Sequence, residues 1–586
     1  MDKIVLAFFK ISCLLSTLFL IGLAFVIQPV KASGTIYIKS DGRIDPPTAP
    51  VSNIDNVTYT FTDNIHDEIV VEMSNIIVDG NNYTLHGTDS HDSKGICLFG
   101  MRNVTIKNVR IEGFWYGIFL EDSSNSKLHR NCITANKVYG IRLWHSIGNT
   151  ISGNNMIKNE NGIYLRHSSN NRIYENNITA NAVNGIQGLC SSNNSISGNN
   201  ITNNEHGILL HESSNDNTIF ENILTANKFE GISIDGSNCI IINNIVNDLY
   251  DAHEYCGIFV GMSGEGNMIV NNTVQNGFNG IQVGSNDTLV SLNTLVGNYN
   301  GISSDSTDNC IFSRNTIIKN NLAIQFRYCS DCNIFENNLN QNSIAIRLSD
   351  SCKCTFTQNN ISSTAYYAIG LRGYTHNNRF YHNNFIDNRQ IVYKPATDSW
   401  HPNVWDDGYP SGGNYWSDYV GVDLCRGRYQ NEPDSDGIGD TPCNIDANYT
   451  DKYPLMGISH TVNTSLDYPV NVISNSTIDY FEYLESSSTI RMYVSNITAG
   501  QTYGFCRLTI PHDLLPPPYN ITVNHYPVTY NTVFENETFS IVYFGYEHST
   551  LEIVIVPEFP ALIILSLYMI ATLLATILHK RRIHIF

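Results

Sequence analysis

Basic residues are scarce in this chain. Its 586 residues include 34 Lys and Arg against 54 Asp and Glu, a formal net charge of −20 at pH 7. Proteins that bind nucleic acid neutralise phosphates with a stripe of Lys and Arg, and the sequence has no such stripe. The balance argues against a nucleic-acid partner and suits a soluble protein of a cation-rich exterior.

Helical periodicity is also lacking in the middle of the chain, where an internal repeat takes its place. The dipeptide Gly-Ile returns every 22 or 23 residues, beginning at Gly95, Gly117, Gly140, Gly162, Gly185 and Gly207, and later continues as Ala-Ile from Ala323. Short segments such as GIYL and NRIY alternate apolar and polar residues between Asn, Ser and Gly turns. This pattern predicts an all-β fold, a right-handed parallel β-helix over residues 33–395.

Asparagine is abundant, and one column of it has a constant position in the repeat. Its members fall three places after an inward Ile, Leu or Phe and are Asn108, Asn131, Asn154, Asn176, Asn199, Asn222, Asn243, Asn272, Asn337, Asn359 and Asn383. Asn tolerates the left-handed conformation of tight turns, and stacked amides can hydrogen-bond from coil to coil. We expect Leu292 and Arg314 to interrupt this column. We interpret the Asn residues as structural.

The two ends of the chain predict an extracellular, membrane-anchored protein. Residues 1–32 have the features of a signal peptide, although the apolar run is long enough for an uncleaved anchor. Ala561–Leu578 is an apolar run followed by a basic tail within residues 556–586, which predicts a transmembrane helix. Sequons such as Asn56, Asn103, Asn177, Asn200, Asn360 and Asn520 suit a cell-surface glycoprotein.

The cysteines predict disulfides, since disulfides are the default outside the cell. Cys332 and Cys354 lie one repeat apart and could pair between adjacent coils, and Cys425 and Cys443 flank a loop-rich insert and could form another bridge. The alternative is a four-thiolate metal site made of Cys329, Cys332, Cys352 and Cys354.

A row of polar residues four or five positions after the Gly-Ile dipeptides suggests a catalytic face. Equivalent positions on successive coils would place His145 beside His167, with Asp122 one coil earlier. Together with Arg166, these residues offer a carboxylate, a proton-transferring imidazole and a charge-stabilising guanidinium. The alternative is a solvated edge of the coils with no chemistry.

One repeat is longer than the others, and its extra residues suggest a binding loop. The segment between Gly231 and Gly257 contains Asp248, Asp251, His253 and Glu254. An expanded loop on a regular solenoid is where binding usually occurs, so we expect a metal or sugar site here. The alternative is an acidic, decorated loop.

Two further segments follow the repeats. Residues 396–458 are rich in Gly, Trp and Asp, and Asp434, Asp436 and Asp440 alternate with glycines in a pattern similar to calcium loops of the dockerin type. This predicts a Ca²⁺ site; the alternative is a turn-rich cap that closes the last coil. Residues 459–555 alternate like strands of a small antiparallel β-sandwich.

The repeats and the strings WDDGYPSGGNYWSDY and DGIGDTP resemble the NosD-type and carbohydrate-binding and sugar-hydrolase β-helix family, which is widespread in archaeal surface proteins. Pro557-Glu558-Phe559-Pro560 resembles a PEF-type archaeal sorting signal, which implies an archaeosortase-type processing enzyme as a partner; the alternative is a plain membrane anchor. The family's copper role does not carry over, because the sequence has no Met-rich or Cys-His copper motif.

Three functions are compatible with these features. The preferred one is a non-catalytic surface protein that binds carbohydrate or another polymer of the cell envelope, through a polysaccharide or glycan partner. The second is an extracellular polysaccharide lyase, hydrolase or epimerase that uses the Asp122, His145 and His167 face. The third is a periplasmic metal-handling protein of the NosD kind.

Overall fold

The computed structural model describes residues 34–247, 255–395, 401–558 and 569–578. The chain divides into two compact units, Met1–Lys228 and Phe229–Phe586. Each unit contains parallel β-solenoid coils built from three sheets, here called sheet 1, sheet 2 and sheet 3. The parallel β-solenoid predicted from the repeat is thus confirmed.

In the first unit, each coil contributes one short strand to each sheet. Sheet 1 contains Ile36–Ile38, Ile69–Val71, Lys94–Phe99, Tyr116–Glu121, Tyr139–Trp144, Asn161–Arg166, Asn184–Leu189 and His206–His211, with Ile44–Asp45 paired antiparallel to the first strand. Sheet 2 contains Val51–Asn53, Thr58–Phe61, Ile77–Asp79, Thr105–Lys107, Lys127–His129, Thr150–Ser152, Arg172–Tyr174, Ser195–Ser197 and Thr218–Phe220. Sheet 3 contains Thr84–His86, Arg110–Glu112, Cys132–Thr134, Asn155–Ile157, Asn177–Thr179, Asn200–Thr202 and Ile223–Thr225.

The second unit has the same three-sheet coils. Sheet 1 contains Ile232–Ile234, Cys256–Val260, Asn279–Val283, Asn300–Asp305, Leu322–Arg327, Ile344–Ser349, Tyr367–Arg372 and Val392–Tyr393. Sheet 2 contains Ile240–Ile242, Met268–Val270, Leu289–Ser291, Ile311–Ser313, Asn333–Phe335, Thr355–Thr357 and Arg379–Tyr381. Sheet 3 contains Ile245–Asn247, Thr273–Gln275, Thr294–Val296, Thr316–Ile318, Asn338–Asn340, Asn360–Ser362, Asn384–Ile386 and Tyr415–Trp416.

The Gly-Ile dipeptide explains how the coils stack. The Ile side chain points inward, and Ile141 and Ile163 are both fully buried in register with each other. The Gly allows the next coil to approach closely, because a Cβ on Gly162 would lie 2.5 Å from the Gly185 carbonyl oxygen. The repeat therefore encodes a column of buried Ile beside a column of close backbone contact.

The abundant Asn residues form buried hydrogen-bonded ladders, which confirms their structural role. The Asn154 side chain donates to the Asn176 Oδ1 atom at 3.0 Å, and the Asn154 backbone N–H donates to the same oxygen at 2.9 Å. The same contacts recur one coil later between Asn176 and Asn199. Each Asn side chain thus forms hydrogen bonds with buried backbone groups at the corner of its own coil and of the preceding coil.

The predicted membership of the ladder is wrong by one place at four positions. Leu292 and Arg314 do not interrupt it; they are left-handed residues, with φ of 60° and 55°. The ladder passes through the residues that follow them, since the Asn293 backbone N–H donates to Asn315 Oδ1 at 2.9 Å. Asn108 and Asn243 are likewise left-handed residues with φ of 53° and 58°, one place before the ladder position.

The four cysteines of the predicted disulfides are unpaired in the structure, and their pairing stays a prediction. Cys332, Cys354, Cys425 and Cys443 are all free thiols. Cys332 and Cys354 occupy the corner position that Asn378 takes one coil later, where the Cys354 N–H donates to Asn378 Oδ1. Cys425 and Cys443 lie opposite Pro433 and Asp451 on separate hairpins.

Two hairpins and two antiparallel sheets follow the coils in the second unit. The hairpins are Cys425–Arg426 with Glu432–Pro433 and Cys443–Asn444 with Thr450–Asp451. One five-stranded sheet contains Ile458–Asn463, Pro469–Ser474, Tyr503–Pro511, Phe539–Glu547 and Asn531–Glu535. The other contains Ser476–Leu484, Thr489–Asn496, Leu551–Pro557, Tyr519–Val523 and Tyr526–Val528, with a short 3₁₀ helix at Glu485–Ser487. Both sheets contribute to one buried apolar cluster.

The ends of the chain are described only in part. The predicted signal peptide lies outside the described residues. Of the predicted transmembrane segment, residues 569–578 are described and are helical. Within the described parts of the chain, none of the helices combines the length and the apolar character needed to cross a membrane.

Candidate functional site

The outer surface of sheet 1 in the first unit carries a cluster of aromatic and cationic side chains. We call it the aromatic face, and it consists of Tyr116, Phe119, Tyr139, Arg142, Trp144, Tyr164 and Arg166. These residues come from three adjacent strands. Because side chains alternate along a strand, the residues one and three places after the inward Ile of each strand share the outer surface. Tyr116 and Tyr139 are the first residues of their strands.

The rings of this face stack from coil to coil. The Tyr139 ring lies between those of its neighbours, with centroids 5.6 Å from Tyr116 and 4.4 Å from Tyr164 and small interplanar angles. Tyr116 also stacks on Phe119 at 5.7 Å. Parallel pairing in register places Tyr116 opposite Tyr139, whereas Tyr164 pairs with Arg142. Only the Tyr116–Tyr139 stack therefore joins equivalent positions of the repeat.

Arg142 lies at the centre of the aromatic face. Its guanidinium carbon is 4.3 Å from the Trp144 ring centroid, and the centroids of Tyr116, Phe119, Tyr139 and Tyr164 lie within 5.0–6.0 Å of it. Its Nε atom is buried and makes no hydrogen bond. Among the described residues, no carboxylate lies within ion-pair distance of it. Arg142 is therefore a cation held by aromatic rings and not by a carboxylate.

Arg166 extends this cationic character to the border of the face. Its guanidinium carbon lies 5.8 Å from the Trp144 ring. A hydrogen bond with Tyr164 is the main cause that raises the pKa of Arg166. Two guanidinium groups thus lie beside Trp144 on a chain whose net charge is strongly negative.

The predicted catalytic residues form a column along the edge of the aromatic face. Asp122, His145 and His167 each directly follow a sheet 1 strand and are left-handed, with φ of 49°, 48° and 49°. The His145 and His167 rings stack with centroids 4.9 Å apart, as the repeat predicts. All three residues are exposed. No hydrogen bond links Asp122 to His145 in the described part of the chain.

This column can transfer protons, but it does not form a closed acid–base site. A general base normally lies within about 3 Å of the group that it serves. Here Asp122, His145 and His167 are exposed, and the contacts of the two imidazoles are ring contacts with each other and with Trp144. Their catalytic role stays a prediction.

The predicted calcium loop forms turns in which the carboxylates accept backbone N–H groups. Asp440 accepts from Cys425 at 3.0 Å, and Asp436 accepts from Ile438 at 3.0 Å. Asp434 accepts from Ser435 at 3.0 Å. The residues that the structure describes include no group of three or more His, Cys, Asp or Glu side chains able to hold a metal ion. The Ca²⁺ site stays a prediction, and the observed contacts are those of the alternative, a turn-rich cap.

Asp423 and Asp451 of the cap have carboxyl groups with strongly raised pKa values, and the sequence did not indicate either residue as special. Burial raises the pKa of Asp423 to about 7, although its carboxylate accepts the N–H groups of Asp436 and Gly437. Burial also raises the pKa of Asp451 to about 7. Both effects come from contacts between distant parts of the chain, which local sequence does not encode.

The predicted binding loop cannot be placed. Asp248, Asp251, His253 and Glu254 all lie outside the described residues.

Sequence reasoning missed the aromatic face, although a signal existed. The prediction considered only polar residues four and five places after each Gly. It therefore included Arg166 but left out Trp144, the residues two places after the Gly and the Tyr before it. In the segments YGIFLE, YGIRLW and NGIYLR, the alternation of a sheet 1 strand directs the missed residues outward.

Comparison with solved structures finds several sugar-processing β-helix enzymes with low similarity. DFA-IIIase from Arthrobacter chlorophenolicus A6 in complex with DFA-III is 14% identical, with a TM-score of 0.31 over 41% of this chain and 67% of that one. A mutant of the periplasmic alginate epimerase AlgG is 13% identical, with a TM-score of 0.35 over 58% and 82%. The A-module of mannuronan C-5 epimerase AlgE4 from Azotobacter vinelandii is 14% identical, with a TM-score of 0.30 over 57% and 91%. Such values say nothing about the activity of this chain.

No curated protein shows a significant match to the chain. A family model described as periplasmic copper-binding protein (NosD) matches residues 50–244 and 229–421. Copper(I) sites use Cys, Met and His ligands. Among the residues that the structure describes, no three His, Cys, Asp or Glu side chains come together in a group that could hold a metal ion. The matches span residues 50–421, more than half of the chain, and the chain therefore belongs to the NosD family.

Proposed function

We propose that this protein binds carbohydrate, as a polysaccharide or glycan of the cell envelope, on the aromatic face and without turnover. The observation that carries the proposal is Arg142, whose guanidinium group lies among five aromatic rings and has no carboxylate within ion-pair distance among the described residues. Aromatic rings offer flat apolar surfaces for the C–H faces of sugars, and Arg offers donors for hydroxyl and carboxylate oxygens.

The charges of the face favour an acidic glycan. Arg142 and Arg166 lie beside Trp144, whereas the whole chain has a net charge of −20. A local cation on an acidic protein attracts an anionic ligand and repels a cationic one. We therefore propose uronate-containing polymers as the preferred ligands.

The proposed location is outside the cell. The family is described as periplasmic, which agrees with an extracytoplasmic protein. We further propose retention at the surface by the C-terminal segment, either as a membrane anchor or after processing by an archaeosortase-type enzyme. The two five-stranded sheets would then form a β-sandwich between the coils and the membrane.

Substitution of Trp144 or Arg142 is expected to weaken binding. Truncation of a Trp or Arg anchor costs about 2 kcal/mol, so Trp144→Ala and Arg142→Gln should each lower affinity about thirtyfold. The measurement is isothermal titration of the purified full-length chain in detergent with alginate oligosaccharides and with cellohexaose. Arg142→Gln should also remove the preference for alginate and its dependence on salt.

A matched pair on sheet 2 serves as the control. Arg172 lies over the Tyr174 ring at 5.6 Å on the outer surface of the same unit. Arg172→Gln and Tyr174→Ala should leave the affinity unchanged. Equal losses in both pairs, or full affinity in Trp144→Ala, would contradict the proposed binding face.

A second candidate function is catalysis on the bound glycan. It is favoured by the stacked His145 and His167 rings, which border Trp144 with a Trp144–His145 centroid distance of 6.1 Å. The same glycans are incubated with the protein and assayed for reducing ends, unsaturated products or C5 inversion. Products that vanish in the Asp122→Ala, His145→Ala double variant would replace binding by an enzyme function.

A further inference from the structure

A cavity of about 360 Å³ lies in the second unit, between the cap and the outer side of the five-stranded sheet that begins at Ile458. The walls are formed by the His382 corner, the loop around Asp407, the strands that carry Asn471 and Arg507, and the hairpin that carries Phe534 and Phe539. Ligand cavities span roughly 300–1,000 Å³. The size suits one sugar ring and not a polymer.

The polar part of the wall is rigid and built around Arg507. This side chain is 2% exposed. Its Nε atom donates to the Asp436 carbonyl oxygen at 2.7 Å, and an Nη atom donates to the Pro410 carbonyl oxygen. Burial lowers the pKa of Arg507. These hydrogen bonds hold the buried guanidinium in a fixed position at the cavity wall.

The charges of the wall balance, which selects a neutral ligand. Asp407 lines the cavity and accepts a hydrogen bond from Arg379, and Asp436 lies close to Arg507. Burial lowers the pKa of His382, so its imidazole is neutral near pH 7, and Nε2 lies 3.0 Å from the Ser411 carbonyl oxygen. A carboxylate ligand would meet Asp407, and a cation would meet Arg507.

The apolar part of the wall is aromatic. The Phe534 and Phe539 rings have centroids 5.6 Å apart, and both line the cavity. The cavity thus has aromatic rings on one side and an amide, a carboxylate and a guanidinium on the other. A pyranose has the matching character, with C–H groups on its faces and hydroxyls at its rim.

From this arrangement we propose that the cavity binds a single neutral pyranose residue, such as a terminal sugar of a glycan. The proposal rests on the carbohydrate function proposed above for its ligand class, but it uses residues of the second unit alone. Asn471 and Asp407 contact the hydroxyls, and Phe534 and Phe539 contact the ring face.

The test is saturation-transfer NMR and titration of the full-length protein with methyl glycosides of glucose, galactose and mannose, with N-acetylglucosamine, and with glucuronate. We expect at least one neutral sugar to bind and glucuronate to bind more weakly. Phe534→Ala and Asp407→Asn should each lower the affinity at least tenfold. Thr509 also lines the cavity. Thr509→Tyr, which fills the cavity and keeps Asp407, Asn471 and both Phe side chains, should abolish binding while the circular dichroism spectrum is retained.

Thr532→Ala is the matched control, since Thr532 is exposed on the same strand as Phe534 and does not line the cavity. The proposal is overturned if no neutral sugar binds the unaltered protein, or if Phe534→Ala and Thr509→Tyr bind as well as it does. Failure of the aromatic face is separable: Trp144→Ala should leave monosaccharide binding intact, and Phe534→Ala should leave polymer binding intact.

Discussion

Replacement of Asn176 by alanine is expected to lower the free energy of unfolding of the first unit by about 3–5 kcal/mol, because several buried polar groups lose their partner at once. The Asn176 Nδ2 atom donates to Asn199 Oδ1 and to the Ile151 carbonyl oxygen, both at 2.9 Å. Its Oδ1 accepts the backbone N–H and the side chain of Asn154. Alanine can neither donate nor accept these side-chain hydrogen bonds. Because Asn176 is only 2% exposed, water does not replace them.

The measurement is chemical denaturation together with hydrogen exchange of the Asn154 amide, since solenoids can unfold in parts. The neighbouring residue supplies the control. Asn177 is exposed, and its side chain donates to Asn155 Oδ1 at 2.8 Å on the outer surface. Asn177→Ala should cost less than about 1 kcal/mol, because water replaces the lost bond. Equal costs for the two variants would show that the buried ladder has no special role.

The second large effect is a pH dependence from Asp451 in the cap. Burial raises its pKa to about 7 from 3.8, although the N–H groups of Asn414, Trp416 and Tyr453 donate to its carboxylate. Between pH about 4 and about 7 the folded state binds one more proton than the unfolded state. The contribution to stability is therefore fully present below pH about 4 and is lost as the pH rises through about 7, a total of about 4 kcal/mol.

Comparison with Asp451→Asn isolates this contribution, because the variant does not titrate. The difference in free energy of unfolding between the two proteins, followed by Trp fluorescence in denaturant, should shift by about 4 kcal/mol in favour of the variant between pH 4 and pH 7. Asp446→Asn, at an exposed position of the same hairpin, should keep the pH slope of the unaltered protein. A constant difference for Asp451→Asn across this range would refute the effect.

The coils were predictable because their information is local and repeated. Gly162 permits the close approach of the next coil, and Ile163 is buried in the core. The same two requirements recur in coil after coil. The existence of an Asn ladder was predictable, but its exact positions were not. Leu292 was assigned to the ladder in place of Asn293, and this one-residue error exchanges the buried corner position for the left-handed residue before it.

The candidate sites were harder to predict because they combine residues from different elements. In the sequence, Arg142 is an ordinary polar position of a strand. Only the register of three adjacent strands brings five aromatic rings around it. Arg507 and Asp436 lie 71 positions apart and meet only when the cap packs on the antiparallel sheet. The two predicted histidines, by contrast, lie one repeat apart, and their stacking was predictable from the period alone.

Hydroxyl-radical footprinting of the protein saturated with alginate tests the central proposal most directly, because it locates the glycan on the chain. The account predicts that Tyr139 and Trp144, both only half-buried in the free protein, become protected from oxidation, while Tyr174 on sheet 2 does not change. Binding that leaves Tyr139 and Trp144 as reactive as before would contradict the assignment of the aromatic face as the glycan-binding surface.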